Sequence, residues 1–133
     1  MMSENESRYI SFSINGIRFE YDEEKNKTNI RKHGISFKTA ARVFFDYDRI
    51  ELYDEENSQN EDRYNTIGNV SGGLRGTAIG NIGGYNNGTQ DILFVVYTER
   101  ERIVQNGVKK DVIRLISARF ATNFERGIYY GKH

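Results

Sequence analysis

Hydrophobic and polar residues alternate at Ile10, Phe12 and Ile14, break at Asn15-Gly16, and alternate again at Ile17, Phe19 and Tyr21. Alternation of period two marks half-buried strands. Asn-Gly suits the tight turn in which both central residues take positive φ. A hairpin with strands over about 9–14 and 17–21 is expected. The period then lengthens. Asp22 can cap a helix, because its carboxylate accepts from backbone N–H groups one turn on, and Glu23 and Glu24 put negative charge at the helix's positive end. Gly34 stands where a left-handed residue closes a helix, with Lys32 and His33 in the last turn. Ser36 can cap a second helix whose Phe37, Ala40, Ala41 and Phe44 share one face. Helices are expected over about 23–33 and 37–45.

The second half reads as strands. Arg49-Ile50-Glu51-Leu52-Tyr53 is a half-buried strand and Arg63 to Val70 another, with the acidic stretch Asp54 to Glu61 looping between them. Ser71 to Gln90 is rich in glycine, so ordering it costs entropy with little side-chain surface to offset that cost. It holds no Gly-Lys-Ser/Thr, which excludes a phosphate-cradling P-loop, and a hairpin extension is expected. Two long strands, Ile92–Gln105 and Val108–Phe120, flank Asn106-Gly107. A two-residue turn there places Glu99 opposite Arg114 and Arg102 opposite Asp111, each a favourable cross-strand pair. That register puts Phe94, Val96, Thr98, Arg100 and Arg102 on one face with Ile113, Leu115, Ser117 and Arg119. Thr122-Asn123-Phe124-Glu125 is a capping box, opening a terminal helix in which Gly127 costs about 1 kcal/mol against alanine. The order of elements is that of an α+β fold: an antiparallel sheet, two helices in the N-terminal half and a short C-terminal helix.

Composition narrows the classes. The chain has 133 residues and is read as a single domain, 1–133. It has no cysteine, which excludes disulfides and thiolate metal sites, and its only histidines are His33 and His133. No metal and no cofactor is expected. The longest apolar run, Ile92 to Tyr97, is far short of a membrane span. The start, Met1 to Glu6, is polar and acidic, unlike a secretory signal, and Met1 to Arg8 are expected to be disordered. A cytoplasmic location follows as an expectation. Net charge is zero, whereas nucleic-acid binders are usually basic. The distribution is uneven, however: Asp46 to Asp62 is crowded with carboxylates, while arginines and lysines populate Arg100 to Lys132. A neutral total can hide a basic face.

The motifs Phe19-Glu20-Tyr21-Asp22 and Lys32-His33-Gly34-Ile35-Ser36-Phe37 resemble the opening of the BrnT toxin family, the ribonuclease half of a bacterial type II toxin–antitoxin pair. Val43-Phe44-Phe45-Asp46, Asp62-Arg63 with Ile67-Gly68, and Val95-Val96-Tyr97-Thr98-Glu99-Arg100 extend the resemblance. So do Arg114-Leu115-Ile116-Ser117-Ala118-Arg119, Ala121, Glu125-Arg126 and Tyr129. Residues 1–18, with an extra strand expected at the sheet edge, and the glycine-rich insertion at 71–91 depart from the family pattern. The resemblance implies a RelE-like fold and metal-independent cleavage of RNA. It also implies neutralisation by a BrnA-like ribbon–helix–helix antitoxin in a hetero-oligomer, with DNA contacted only through that partner. No membrane association is implied.

Metal-free RNA cleavage requires a base for the ribose 2′-OH, charge stabilisation at phosphorus and an acid for the leaving oxygen. Arginine suits the second task, because its planar fork matches two phosphate oxygens. Arg119, at a strand end before a helix N-terminus, is the first candidate for a phosphate clamp; the plainer reading is an ion pair to Glu125 or Glu99. Arg100 is the second, against simple solvation. Glu99 can act as a base or merely pair with Arg114. Lys32 and His33 can supply a base or an acid, since a neutral imidazole accepts a proton near physiological pH, or simply favour a helix C-terminus. Arg63, Arg102, Arg114 and Arg126 are candidates for RNA binding, Arg63 having the alternative of pairing with Asp62. Tyr129 and Tyr130 read as packing residues. Two other functions compete: a catalytically inactive protein-binding module of the same fold, and a direct DNA-binding regulator. No helix carries the basic stripe that the regulator would need.

Overall fold

The computed structural model describes residues 8–71 and 91–131, so 72–90 of the glycine-rich insertion, Met1 to Ser7, Lys132 and His133 lie outside it. Alternation of apolar residues produces β1 (Tyr9–Ile14) and β2 (Ile17–Asp22), joined at Asn15 (φ 47) and Gly16 (φ 87). Helix α1 (Glu23–His33) starts at Asp22, which accepts from the N–H groups of Glu24 at 2.8 Å and Lys25 at 3.3 Å, and ends at Gly34 with φ 73. Helix α2 (Phe37–Ala40) is capped by Ser36 and tightens into a 3-10 turn over Ala41–Phe45. The remaining elements among the described residues are β3 (Ile50–Tyr53), a 3-10 turn at Glu55–Asn57 in the acidic loop, β4 (Tyr64–Asn69), β5 (Ile92–Ile103), β6 (Lys109–Phe120) and α3 (Asn123–Tyr130). The expected capping box of α3 is present.

The six strands form one open sheet in the order β1-β2-β6-β5-β4-β3, with β1 at one edge as expected. All neighbours are antiparallel except β2 and β6. The fold is therefore α+β. On one face, Phe19, Tyr21, Leu93, Val95, Tyr97 and Leu115 pack against Ile35, Phe37, Ala40, Val43 and Phe44. Aromatic contacts cross this face from Phe12 through Phe19, Phe44, Tyr97 and Tyr64 to Tyr53, with ring centroids 4.9 to 5.7 Å apart. Full burial of one such side chain stabilises the fold by roughly 1.5–3 kcal/mol.

On the opposite face α3 covers only the β3–β4–β5 end, where Tyr129 packs with Ile67 and Ile92. The Tyr129 hydroxyl donates to buried Asp46 at 2.5 Å, and Asp46 also accepts from the N–H groups of Asn69 at 2.8 Å and Asp48 at 2.9 Å. One carboxylate thus ties the 3-10 turn, β4 and α3 together. Burial and this bond push the Tyr129 hydroxyl well above the usual tyrosine range. Beyond Leu115, β2 no longer pairs with β6, and α1 takes over that edge. There the Asn29 amide donates to the Ala118 carbonyl at 2.8 Å, and its oxygen accepts from the Ala118 N–H at 3.1 Å.

The β5–β6 hairpin corrects the expected register. Val104 N–H donates to the Val108 carbonyl at 2.9 Å, so three residues, Gln105 to Gly107, bridge the strands instead of two. Asn106 (φ 72) and Gly107 (φ 73) still take the positive φ that Asn-Gly favours. The added turn residue moves the pairing by one: Thr98 faces Arg114, Glu99 faces Ile113, and Arg102 faces Lys110. The expected pairs Glu99–Arg114 and Arg102–Asp111 do not form. A bulge between Val96 and Tyr97, with Ile116 as the extra residue, then restores the expected register, so that Val96 faces Ser117 and Phe94 faces Arg119. Ile113 and Leu115 accordingly belong to the helix-covered face, and Arg114 moves to the other. Arg8, expected to be disordered, instead pairs with Asp22 at 2.7 Å.

Candidate nucleic-acid interface

Phe19 and Tyr21 enter the core, so alternation sends Arg18, Glu20 and Asp22 to the face that α3 leaves open. Strand register carries the same face across the sheet. Arg18 is opposite Val112, which is opposite Arg100; Glu20 is opposite Arg114, which is opposite Thr98; Lys110 is opposite Arg102. Arg119, opposite Phe94, lies farther along. Five arginines from three strands therefore share one face.

At its centre is Glu20, only 2 % exposed. Its carboxylate accepts from Arg102 Nε at 3.1 Å and Nη2 at 2.8 Å, and from Arg114 Nε at 2.7 Å. The Arg114 guanidinium also lies 3.9 Å from the centroid of the Tyr9 ring, within cation–π range. Two cations share one carboxylate, leaving a local surplus of positive charge. A guanidinium carries five N–H donors; Glu20 engages two from Arg102 and one from Arg114.

Arg119 is held differently. Its Nη1 and Nη2 donate to the two carboxylate oxygens of Glu125 at 2.8 and 2.9 Å, and the guanidinium stacks 4.2 Å from the Phe94 centroid. This mutual hydrogen bonding raises the Arg119 pKa and lowers that of Glu125, against the opposing effect of burial. The ion-pair reading of Arg119 is thus present in the structure, with Glu125 as the partner. Arg100 pairs with Glu61 from the acidic loop.

Arg18 is exposed and lines a concavity of about 670 Å³ with Tyr9, Ser11, Ser13, Glu20, Glu101 and Arg102. A neighbouring depression joins Arg18 to Lys110 at the hairpin tip. Lys32 and His33 are exposed at the end of α1 and border a smaller hollow with Lys25, Thr28, Ile116 and Ser117. The α1 terminus thus lies beside the part of β6 between Arg114 and Arg119, where the bulge also falls. Glu99 is not part of this grouping. It projects toward the helix-covered face, opposite Ile113, while the adjacent Arg100 projects to the open one.

Arg63 forms no ion pair among the described residues; the Asp62 carboxylate accepts from the Tyr53 hydroxyl at 2.9 Å. Arg126 donates to Asn123 at 3.1 Å within α3. Tyr129 is buried as expected, whereas Tyr130 is half-exposed. Sequence reasoning missed Arg18, Glu20 and Tyr9, although the alternation of Ile17, Phe19 and Tyr21 already assigns Arg18 and Glu20 to the opposite face. Among the described residues, no group of three or more His, Cys, Asp or Glu side chains is placed to hold a metal ion. No helix among them is long and apolar enough to cross a membrane.

A family model described as "Ribonuclease toxin, BrnT, of type II toxin-antitoxin system" matches residues 21–125. None of the curated proteins compared with the chain matches it. An open sheet bearing an arginine face is thereby placed in the class of ribonuclease toxins, proteins that imply an antitoxin partner. Within that class, the chain belongs to the BrnT family.

Proposed function

We propose that this chain is a metal-independent endoribonuclease, cleaving RNA on the open arginine face. The observation that carries the reading is the clustering of Arg18, Arg100, Arg102, Arg114 and Arg119 on that one face, although the chain's net charge is zero. The 2′-oxygen attacks the adjacent phosphorus and the bond to the 5′-oxygen breaks, leaving a 2′,3′-cyclic phosphate and a 5′-hydroxyl. His33, at the hollow beside Ser117, takes the 2′-OH proton, and Lys32 returns one to the leaving oxygen. Arg114 and Arg119, on either side of that hollow along β6, stabilise the charge on phosphorus. Arg119 acts as a clamp only by exchanging Glu125 for phosphate. Arg100 adds charge from β5. Arg102, Arg63 and Arg126 supply further contacts to the RNA backbone, and Glu99, on the other face, takes no part.

In this reading the chain works as one toxin domain in the cytoplasm. A BrnA-like ribbon–helix–helix antitoxin neutralises it in a hetero-oligomer by covering the arginines, and the pair reaches DNA only through the antitoxin. One observation favours the alternative of an inactive protein-binding module: Arg100, Arg102, Arg114 and Arg119 all meet carboxylates of the same chain. RNA cleavage by the purified chain, with chelator present, separates the two. Cyclic-phosphate products, lost in His33→Ala and reduced in Arg119→Gln, support the nuclease. Intact RNA across several substrates, from folded protein, supports the binding module.

A further inference from the structure

We infer that the N-terminal hairpin, β1 and β2, builds a phosphate subsite for single-stranded RNA, with Glu20 as its positioning residue; this rests on the ribonuclease reading above. The family match begins at Tyr21, so Tyr9 and Arg18 lie well before it, while Glu20 adjoins it within the Phe19–Asp22 motif. The hairpin supplies three things to the open face. Glu20 fixes both arginine forks from below, by the side-on bond to Arg114 and the two-pronged bond to Arg102. Tyr9 backs the Arg114 guanidinium with its ring. Arg18 adds an exposed cation to the concavity that Ser11, Ser13 and Arg102 also line.

The ligand class follows from the chemistry. Planar guanidinium forks match the paired oxygens of a phosphodiester. Arg18 and Arg102 line the concavity against Glu20 and Glu101, and the Arg114 guanidinium that Glu20 also holds tips the local balance to one net positive charge. Its volume of about 670 Å³ is in the range that holds a small ligand, roughly 300–1,000 Å³. A carboxylate in an anion site repels its ligand, and by itself Glu20 weakens binding. Its burial and its three bonds to the forks point to the opposite net effect: without them, two long side chains lose the orientation that a phosphate requires.

That conflict of signs is the test. Affinity of the full chain for a 2′-O-methylated single-stranded oligoribonucleotide, which reports binding without cleavage, is measured by fluorescence anisotropy for wild type and Glu20→Gln. Charge alone predicts tighter binding for Glu20→Gln. Positioning predicts binding weaker by about tenfold, with near-wild-type affinity recovered in no variant that merely adds positive charge elsewhere on the face. Equal or tighter binding by folded Glu20→Gln overturns the inference. If that variant does not fold, Tyr9→Leu and Arg18→Gln decide: each is expected to bind about threefold more weakly, and unchanged affinity in both overturns it. Wild type that cleaves unmodified RNA, with variants that bind as wild type does, removes the subsite and leaves the nuclease standing. Wild type that neither binds nor cleaves removes both.

Discussion

Of the arginine–carboxylate centres on the open face, those at Glu20 and Glu125 are built in opposite ways. At the Glu20 centre one carboxylate, nearly inaccessible, holds Arg102 and Arg114 together. At the Glu125 centre one carboxylate holds one arginine, fork to fork, and also accepts from the Thr122 N–H at 2.9 Å as part of the helix cap. The first centre keeps a surplus of charge and of unused donors; the second is neutral, and its fork is occupied. Along β5 they are separated by the interval from Phe94 to Thr98, about 13 Å of strand at roughly 3.3 Å per residue. An ion pair beside a candidate site is therefore not of one kind. Stoichiometry distinguishes an arginine with donors left for a ligand from one that must first exchange its carboxylate.

The largest expected effect comes from removing the shared carboxylate. Glu20→Ala leaves two cations facing each other across a nearly buried position and is expected to destabilise the fold by about 3 kcal/mol, read by urea denaturation. A loss below about 1 kcal/mol means that water compensates both guanidiniums. Next, Glu125→Ala removes the fork and half of the capping box, with an expected loss of about 1–2 kcal/mol. If it proves more damaging than Glu20→Ala, the ranking of the two centres is wrong.

Acid titration sharpens the same contrast. The Glu125 pKa lies below its ordinary value of 4.5 because Arg119 bonds the ionised form. Its contribution to stability is fully present above that ordinary value and is lost as pH falls through the lower, folded one. Melting temperatures of wild type and Glu125→Gln should thus differ at pH 7 and converge in acid below about pH 4.5; a constant gap breaks the linkage. The smallest effect is on RNA binding in salt. Arg114→Gln should flatten the dependence of log affinity on log salt by about 0.7, one phosphate contact on a single strand. Arg119→Gln should flatten it less, since Glu125 already neutralises that charge. Equal slopes for the two variants erase the distinction.

The local grammar of the chain was legible in advance. The Asp22 and Ser36 caps, Gly34, the two Asn-Gly turns and the Thr122–Glu125 capping box each depend on residues within four positions of one another. Their energetics are settled before distant contacts form. The partner of Arg119 was among the readings open to the sequence for the same reason, being only six residues away. Glu20 was not, because its partners Arg102 and Arg114 lie 82 and 94 residues on.

By itself, then, the sequence determined where helices and turns begin and end, and which side of β2 is apolar. Only the tertiary structure decided that β2 runs parallel to β6, that a third turn residue and a bulge reset the β5–β6 register, and hence which charges share a face. Side chains alternate with a period of two, so a shift of one residue moves a strand's whole set to the other side. The expected pairing of Arg114 with Glu99 and its actual pairing with Glu20 differ by that single step, which no local signal specifies.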